Sequence, residues 1–174
     1  MERIFLVLLL LCFGGGPAAL AAKSVFDDVT SGQPICYGRE YGLADMAAAP
    51  RQRVQKIQAK LSKIKRYNNQ TVLSLEITLR GAKNTYKNYR SFFNCDSKAH
   101  CQIDCDGGSA DLRMAGDGRL VIKNNDFVIE GACGGKVDGE EQRQVLKAFT
   151  GADDYFRLVR LPVEFCQNVT SYPN

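Results

Sequence analysis

Among its 174 residues the sequence has a single histidine, His100. That rules out metal centres built on several imidazoles and leaves one side chain whose ordinary pKa lies near neutrality. No Gly-x-Ser-x-Gly elbow, phosphate-binding glycine loop or dinucleotide fingerprint occurs, so the common short signatures of hydrolases and nucleotide enzymes are missing. No linker rich in glycine and serine or in proline divides the chain, and it has no internal repeat. After residues 4–13 no further apolar run is long enough to cross a bilayer.

The amino terminus has the order of an export signal. Arg3 supplies a charged start and residues 4–13 are continuously apolar. Gly14, Gly15, Gly16 and Pro17 break any helix, and Ala19-Leu20-Ala21 places small residues before a cut at Ala22. The competing reading, a membrane anchor, is poor, because ten helical residues span only ~15 Å, about half a hydrocarbon core. The sequence therefore predicts a signal peptide over 1–21 and one domain over 22–174. That domain has no transmembrane anchor after processing and is periplasmic or secreted.

Cysteine usage agrees with export. Seven cysteines are present, and setting aside Cys12 of the signal leaves Cys36, Cys95, Cys101, Cys105, Cys133 and Cys166. An even set in an exported chain implies disulfides, three here, with 15 connectivities open. The spacing Cys95-x5-Cys101-x3-Cys105 is not a zinc-ribbon pattern. If Cys101 and Cys105 share a strand, their Cα atoms lie ~13 Å apart, too far for a direct bridge. Cys95 and Cys101 flank a turn, Cys105 and Cys133 suit neighbouring strands, and Cys36 with Cys166 would tie the two ends. This set is favoured without excluding the others.

Periodicity points to a mainly β protein. Residues 24–33 read as a loosely held arm. Residues 43–49 read as a short helix, with Asp45 near its start and Pro50 as its stop. Residues 51–66 are ambiguous: Val54, Ile57, Leu61 and Ile64 recur at helical spacing, while Ile57, Ala59 and Leu61 alternate as in a strand. Leu73, Leu75, Ile77 and Leu79 alternate cleanly, and residues 67–70 suit a hairpin loop. Short strands follow at 86–93, 101–105, 110–115, 120–122, 127–129 and 155–163. Turns are expected at Asp106-Gly107-Gly108, Gly116-Asp117-Gly118 and Asn124-Asn125-Asp126. Residues 139–148 read as one or two helical turns, with Val145, Leu146 and Phe149 on one side. The predicted fold is a disulfide-stapled antiparallel meander or a small closed or partly closed β-barrel with one or two short helices, closure removing exposed edges.

Charge is the strongest functional signal. Residues 51–90 hold eleven lysines or arginines and one acid, Glu76, whereas residues 91–174 hold nine basic and thirteen acidic side chains. In a hairpin over 51–80, Lys56, Lys60 and Arg80 share the outer face with Glu76, and Lys63 completes the candidate binding set. Such a face suits an anionic envelope polymer or a lipid headgroup, or an envelope protein; nucleic acid is not expected outside the cell interior. It also suits a plain solvated face. The aspartates of 104–111 offer an alternative, a small envelope hydrolase or a Ca²⁺ site, although their spacing is not that of an EF-hand. As adjacent carboxylates, Asp153-Asp154 and Glu140-Glu141 are expected to face solvent. His100 is expected to be a plain surface histidine. No residue is put forward as catalytic, and neither metal nor cofactor is expected. A third reading, a structural or inhibitory partner of a larger assembly, predicts an exposed apolar patch.

Several short motifs together resemble an uncharacterised group of small exported bacterial proteins. They are Cys36-Tyr37-Gly38-Arg39-Glu40-Tyr41, Leu43 with Pro50-x-Gln52-x-Val54, Cys101-x3-Cys105-Asp106-Gly107-Gly108, Asp153-Asp154-Tyr155-Phe156-Arg157-Leu158, and Cys166. The resemblance implies a periplasmic protein and an extended strand after Pro50, which favours the hairpin over 51–80. Members often carry histidine where this chain has Ala49, so a histidine-dependent activity at that position is not carried over.

Overall fold

The structure is a computed structural model that describes residues 24–30, 32–65, 68–81, 85–130, 136–137, 140–141, 144–146 and 153–169. The signal peptide expected over 1–21 lies outside them. Eight strands close an antiparallel barrel. They are β1 (Ile35–Glu40), β2 (Val54–Ile64), β3 (Gln70–Arg80), β4 (Tyr86–Cys95), β5 (His100–Gln102), β6 (Ser109–Met114), β7 (Leu120–Asn125) and β12 (Tyr155–Leu161). Around the barrel the order is β1-β12-β7-β6-β5-β4-β3-β2. Strands β2 to β7 thus run as a meander, and the pairing of β1 with β12 closes it. Between β7 and β12 lie the short strands β8 (Val128–Glu130), β9 (Lys136–Val137), β10 (Glu140–Glu141) and β11 (Gln144–Val145).

Alternation builds the core. Ile57, Ile77 and Tyr89 are paired across β2, β3 and β4, as are Leu61, Leu73 and Phe93, and all six are buried. Leu112, Ile122 and Phe156 form a matching row across β6, β7 and β12. The other parity carries Lys56, Gln58 and Lys60 on β2 and Ser74, Glu76 and Thr78 on β3. That is the reverse of a membrane-spanning barrel, whose outward band is apolar. Among the described residues no helix is long and apolar enough to cross a membrane.

The strand alternative for 51–66 is therefore the one adopted. Val54, Ile57, Leu61 and Ile64 fit a helical stripe only until Ala59 and the matching row on β3 are counted. In the connection, Asn68 and Asn69 both have positive φ (53° and 58°), a conformation asparagine tolerates better than most residues. The expected short helix is α1 (Leu43–Ala48); Asp45 accepts a hydrogen bond from the Gly42 N–H at 3.0 Å, and the helix stops before Pro50.

Four expectations are corrected. The arm at 24–33 is not loose: Val25 and Val29 are buried in the main core with Phe26 packed against it, and Asp28 pairs with Arg160 at 3.0 Å. Residues 101–105 are not one strand. β5 ends at Gln102, and the chain turns through Asp104, Cys105 and Asp106, the last two at φ 58° and 57°, as the Ile103 N–H bonds back to the Gly108 carbonyl. The described part of 139–148 is extended rather than helical: β11 pairs with β8 and Leu146 is buried beside Phe127, whose carbonyl accepts its N–H. Phe149 lies outside the described residues. The last strand ends at Leu161, because Pro162 initiates a 3₁₀ turn over Val163–Cys166.

Two of the favoured disulfides are present. Cys36–Cys166 joins chain positions 130 residues apart, and Cys95–Cys101 clamps directly opposed residues of β4 and β5. Cys105 is also disulfide-bonded; Cys133, its expected partner, lies outside the described residues. These bonds point to an oxidising, non-cytoplasmic setting.

Two glycines give a graded test of the turns. Gly108 and Gly118 have φ of 79° and 78°. A Cβ on Gly108 would lie 2.4 Å from the Asp126 carbonyl oxygen, whereas one on Gly118 meets nothing within 4 Å. Gly118→Ala should cost about 1–2 kcal/mol, the left-handed penalty alone. Gly108→Ala should cost more, at least ~3 kcal/mol, by adding a backbone clash. Urea unfolding of both variants measures the difference.

Candidate functional site

At one end of the barrel the finish of β1, helix α1, the start of β2, the end of β3 and the start of β4 meet. Two hydrogen bonds tie the backbone there. Tyr41 N–H donates to the Gln55 carbonyl at 2.7 Å, and Arg80 N–H donates to the Arg53 carbonyl at 2.9 Å. Below them sits Asp153, fully buried, its carboxylate accepting the N–H groups of Arg53 at 3.0 Å and Val54 at 3.3 Å. Burial pushes the Asp153 carboxyl above the usual carboxylate range, opposed by those two N–H groups and by the Arg53 charge. The expectation that Asp153 faces solvent is thus corrected: the start of β2 has two N–H groups to satisfy, and Asp153 supplies both acceptors. Gln52 Nε2 donates to the Val54 carbonyl at 2.8 Å. The Arg39 guanidinium lies 4.5 Å from the centre of the Tyr41 ring and 3.6 Å from Asp45.

Outside this buried anchor the surface is concave and basic. A cleft of about 640 Å³ is lined by Arg53 and Arg80 together with Leu43, Met46 and Ala47, and among the described residues no acid lines it. A smaller cleft of about 340 Å³ shares Leu43, Met46 and Arg80 and adds Glu40 and Tyr86. Leu43 is 85% exposed and Tyr86 53%. Such a surface can hold an anionic group by guanidinium hydrogen bonds and lay an apolar segment beside it.

The four basic residues singled out in the sequence do not form one patch. Lys56 is exposed, opposite Glu40 on β1 and Thr78 on β3. Arg80 lies at the rim just described. Lys60 faces outward, but its Nζ donates to the Val169 carbonyl at 3.3 Å, because the Cys36–Cys166 bond draws the carboxyl-terminal turn over this part of β2. Gln58, which donates to the Phe165 carbonyl, is covered in the same way. Lys63 has the opposite parity, opposite Thr71, and is ~23 Å along the strand from Lys56. The residues that join Arg80 are instead Arg53, Leu43 and Tyr86. An exposed leucine heading an alanine-rich helix of six residues was the one legible hint, since so short a helix has little face with which to bury it.

The aspartates of 104–111 take separate partners. Asp104 accepts from Asn94 at 3.2 Å, while Asp111 accepts from His100 at 2.6 Å and Asn125 at 2.9 Å, with Lys123 at 3.9 Å. Among the described residues no group of three metal-ligating side chains converges. His100 is more than a plain surface histidine, because the β5–β6 register places it directly opposite Asp111. Its hydrogen bond, then that of Asn125, holds the Asp111 carboxyl below the usual range.

Replacing Asp153 tests the anchor. Asp153→Ala leaves the Arg53 and Val54 N–H groups without acceptors and should cost roughly 2–4 kcal/mol; Asp153→Asn, with one acceptor oxygen, should cost about half as much. Because the folded carboxyl binds its proton more tightly than the unfolded one, wild-type stability should carry a contribution from this group that falls as pH rises from the ordinary value of 3.8 through the raised one. Asp153→Asn should remove that contribution, measured by urea unfolding across acid pH.

No family model, curated protein or solved structure matches the chain.

Proposed function

We propose that this chain is an exported, non-enzymatic binding module of the bacterial periplasm, directed there by residues 1–21, whose basic barrel rim holds an anionic component of the cell envelope. The observation that carries the reading is the larger cleft, lined by Arg53 and Arg80 and, among the described residues, by no acid. The excess of cations over 51–90 supports the same reading, as does the resemblance to small exported bacterial proteins. The fold supplies a rigid, edge-free support for such a surface. Attraction of this kind acts over about a Debye length and weakens with salt.

A protein partner is the second reading. It is favoured by the exposed Val159 of β12 and by Val163 and Phe165 of the following turn, of which Phe165 is 58% exposed.

Retention of the oxidised protein on an immobilised anionic polymer, at low and high salt, tests the first reading. The double variant Arg53→Glu/Arg80→Glu should lose at least tenfold in affinity at low salt, while Lys63→Glu, at the far end of the strand, should change it less than twofold. Equal loss in both variants would reduce the rim to a general charge effect, and salt-independent retention would remove the proposal.

A further inference from the structure

The composition of the rim clefts is more specific than attraction of a polyanion requires. A polymer that carries only charge has no use for Leu43, left 85% exposed at a position shared by both clefts. Met46 is buried in the main core and also lines both clefts, so it gives them a fixed apolar wall. Ala47 extends that wall. Arg53 and Arg80 stand on the same larger cleft. Arg53 is held in place through its backbone by Asp153, and Arg80 through its backbone by Arg53. Glu40 lines only the smaller cleft, so a negative head is favoured in the larger one and disfavoured in its neighbour. A volume of about 640 Å³ is within the range of small-molecule sites, which combine apolar walls with a few placed polar groups.

Resting on the reading of this rim as an anion site, we infer that the larger cleft binds an anionic amphiphile. This is a small molecule with one negatively charged head held by Arg53 and Arg80 and a short hydrocarbon chain laid along Leu43, Met46 and Ala47. A planar guanidinium pair suits the oxygens of a phosphate-type head. Tyr86, across Arg80 in the adjoining cleft, offers a further apolar surface to a longer chain.

Titration calorimetry of the oxidised protein with inorganic phosphate and with butyl, hexyl and octyl phosphate tests this. Each methylene that enters the cleft should tighten binding about two- to fourfold, so that octyl phosphate binds at least tenfold more tightly than butyl phosphate. Leu43→Ser, at a site exposed enough to leave folding intact, should flatten the chain-length series at least threefold between those two ligands; Arg80→Glu should weaken every member. A circular dichroism spectrum of each variant checks its fold. If butyl and octyl phosphate bind alike while salt-sensitive retention on the anionic polymer persists, the amphiphile inference falls and the anion site stands. If that retention is absent as well, both fall. A chain-length series unchanged by Leu43→Ser would also overturn the assignment of this cleft.

Discussion

Closure of the barrel depends on one pairing, that of β1 with β12, between segments from opposite ends of the described chain. Every other strand contact in the barrel joins neighbours in the sequence or spans the single excursion between β7 and β12. Joining such distant segments carries a large loop entropy, and three features of the structure offset it. Cys36 and Cys166 are covalently joined beside the pairing, which removes much of that entropy from the unfolded chain. Asp153, just before β12, accepts two N–H groups at the start of β2. Phe156 and Leu158 of β12 then enter a core already lined by the meander.

These same features shape the surface. The disulfide holds the carboxyl-terminal turn over the middle of β2, where Lys60 and Gln58 are occupied by backbone carbonyls. The Lys60 ammonium is thus engaged by the carboxyl-terminal turn, whereas Arg53 and Arg80 line the rim cleft. The buried carboxylate of Asp153 fixes the backbone of Arg53, and Arg53 in turn fixes that of Arg80. The element that closes the barrel is thus also the base on which the basic cleft stands. The short motifs around Tyr41, Gln52 and Asp153 meet here, and each contributes to the same anchor. Tyr41 and Gln52 bond the first residues of β2, and Asp153 caps them.

Much of the architecture was legible. Leu73, Leu75, Ile77 and Leu79 could only alternate, and Asp117-Gly118 could only turn. The even cysteine set suggested the disulfides, two of them now located. The strand at 54–64 was harder, because lysines and glutamines between its apolar residues suit a helix equally well; the partner row on β3 decided it. Val25 and Val29 give no sign of burial in the sequence, since two valines among polar residues show no periodicity until a core exists to receive them. His100 looks solitary there because Asp111, eleven residues away, becomes its neighbour only through cross-strand register.

Local chemistry along the chain therefore determined the elements: alternation sets strand faces, positive-φ residues set turns, and cysteine count sets the staple chemistry. Those depend on residues close in sequence or on totals, and both can be read directly. Which cations stand together was decided only in three dimensions. Lys56, Lys60 and Arg80 share one strand face in the sequence, but a covering turn and the end of the barrel separate them. A binding surface is a relation among residues brought together by closure, and closure is a property of the whole chain.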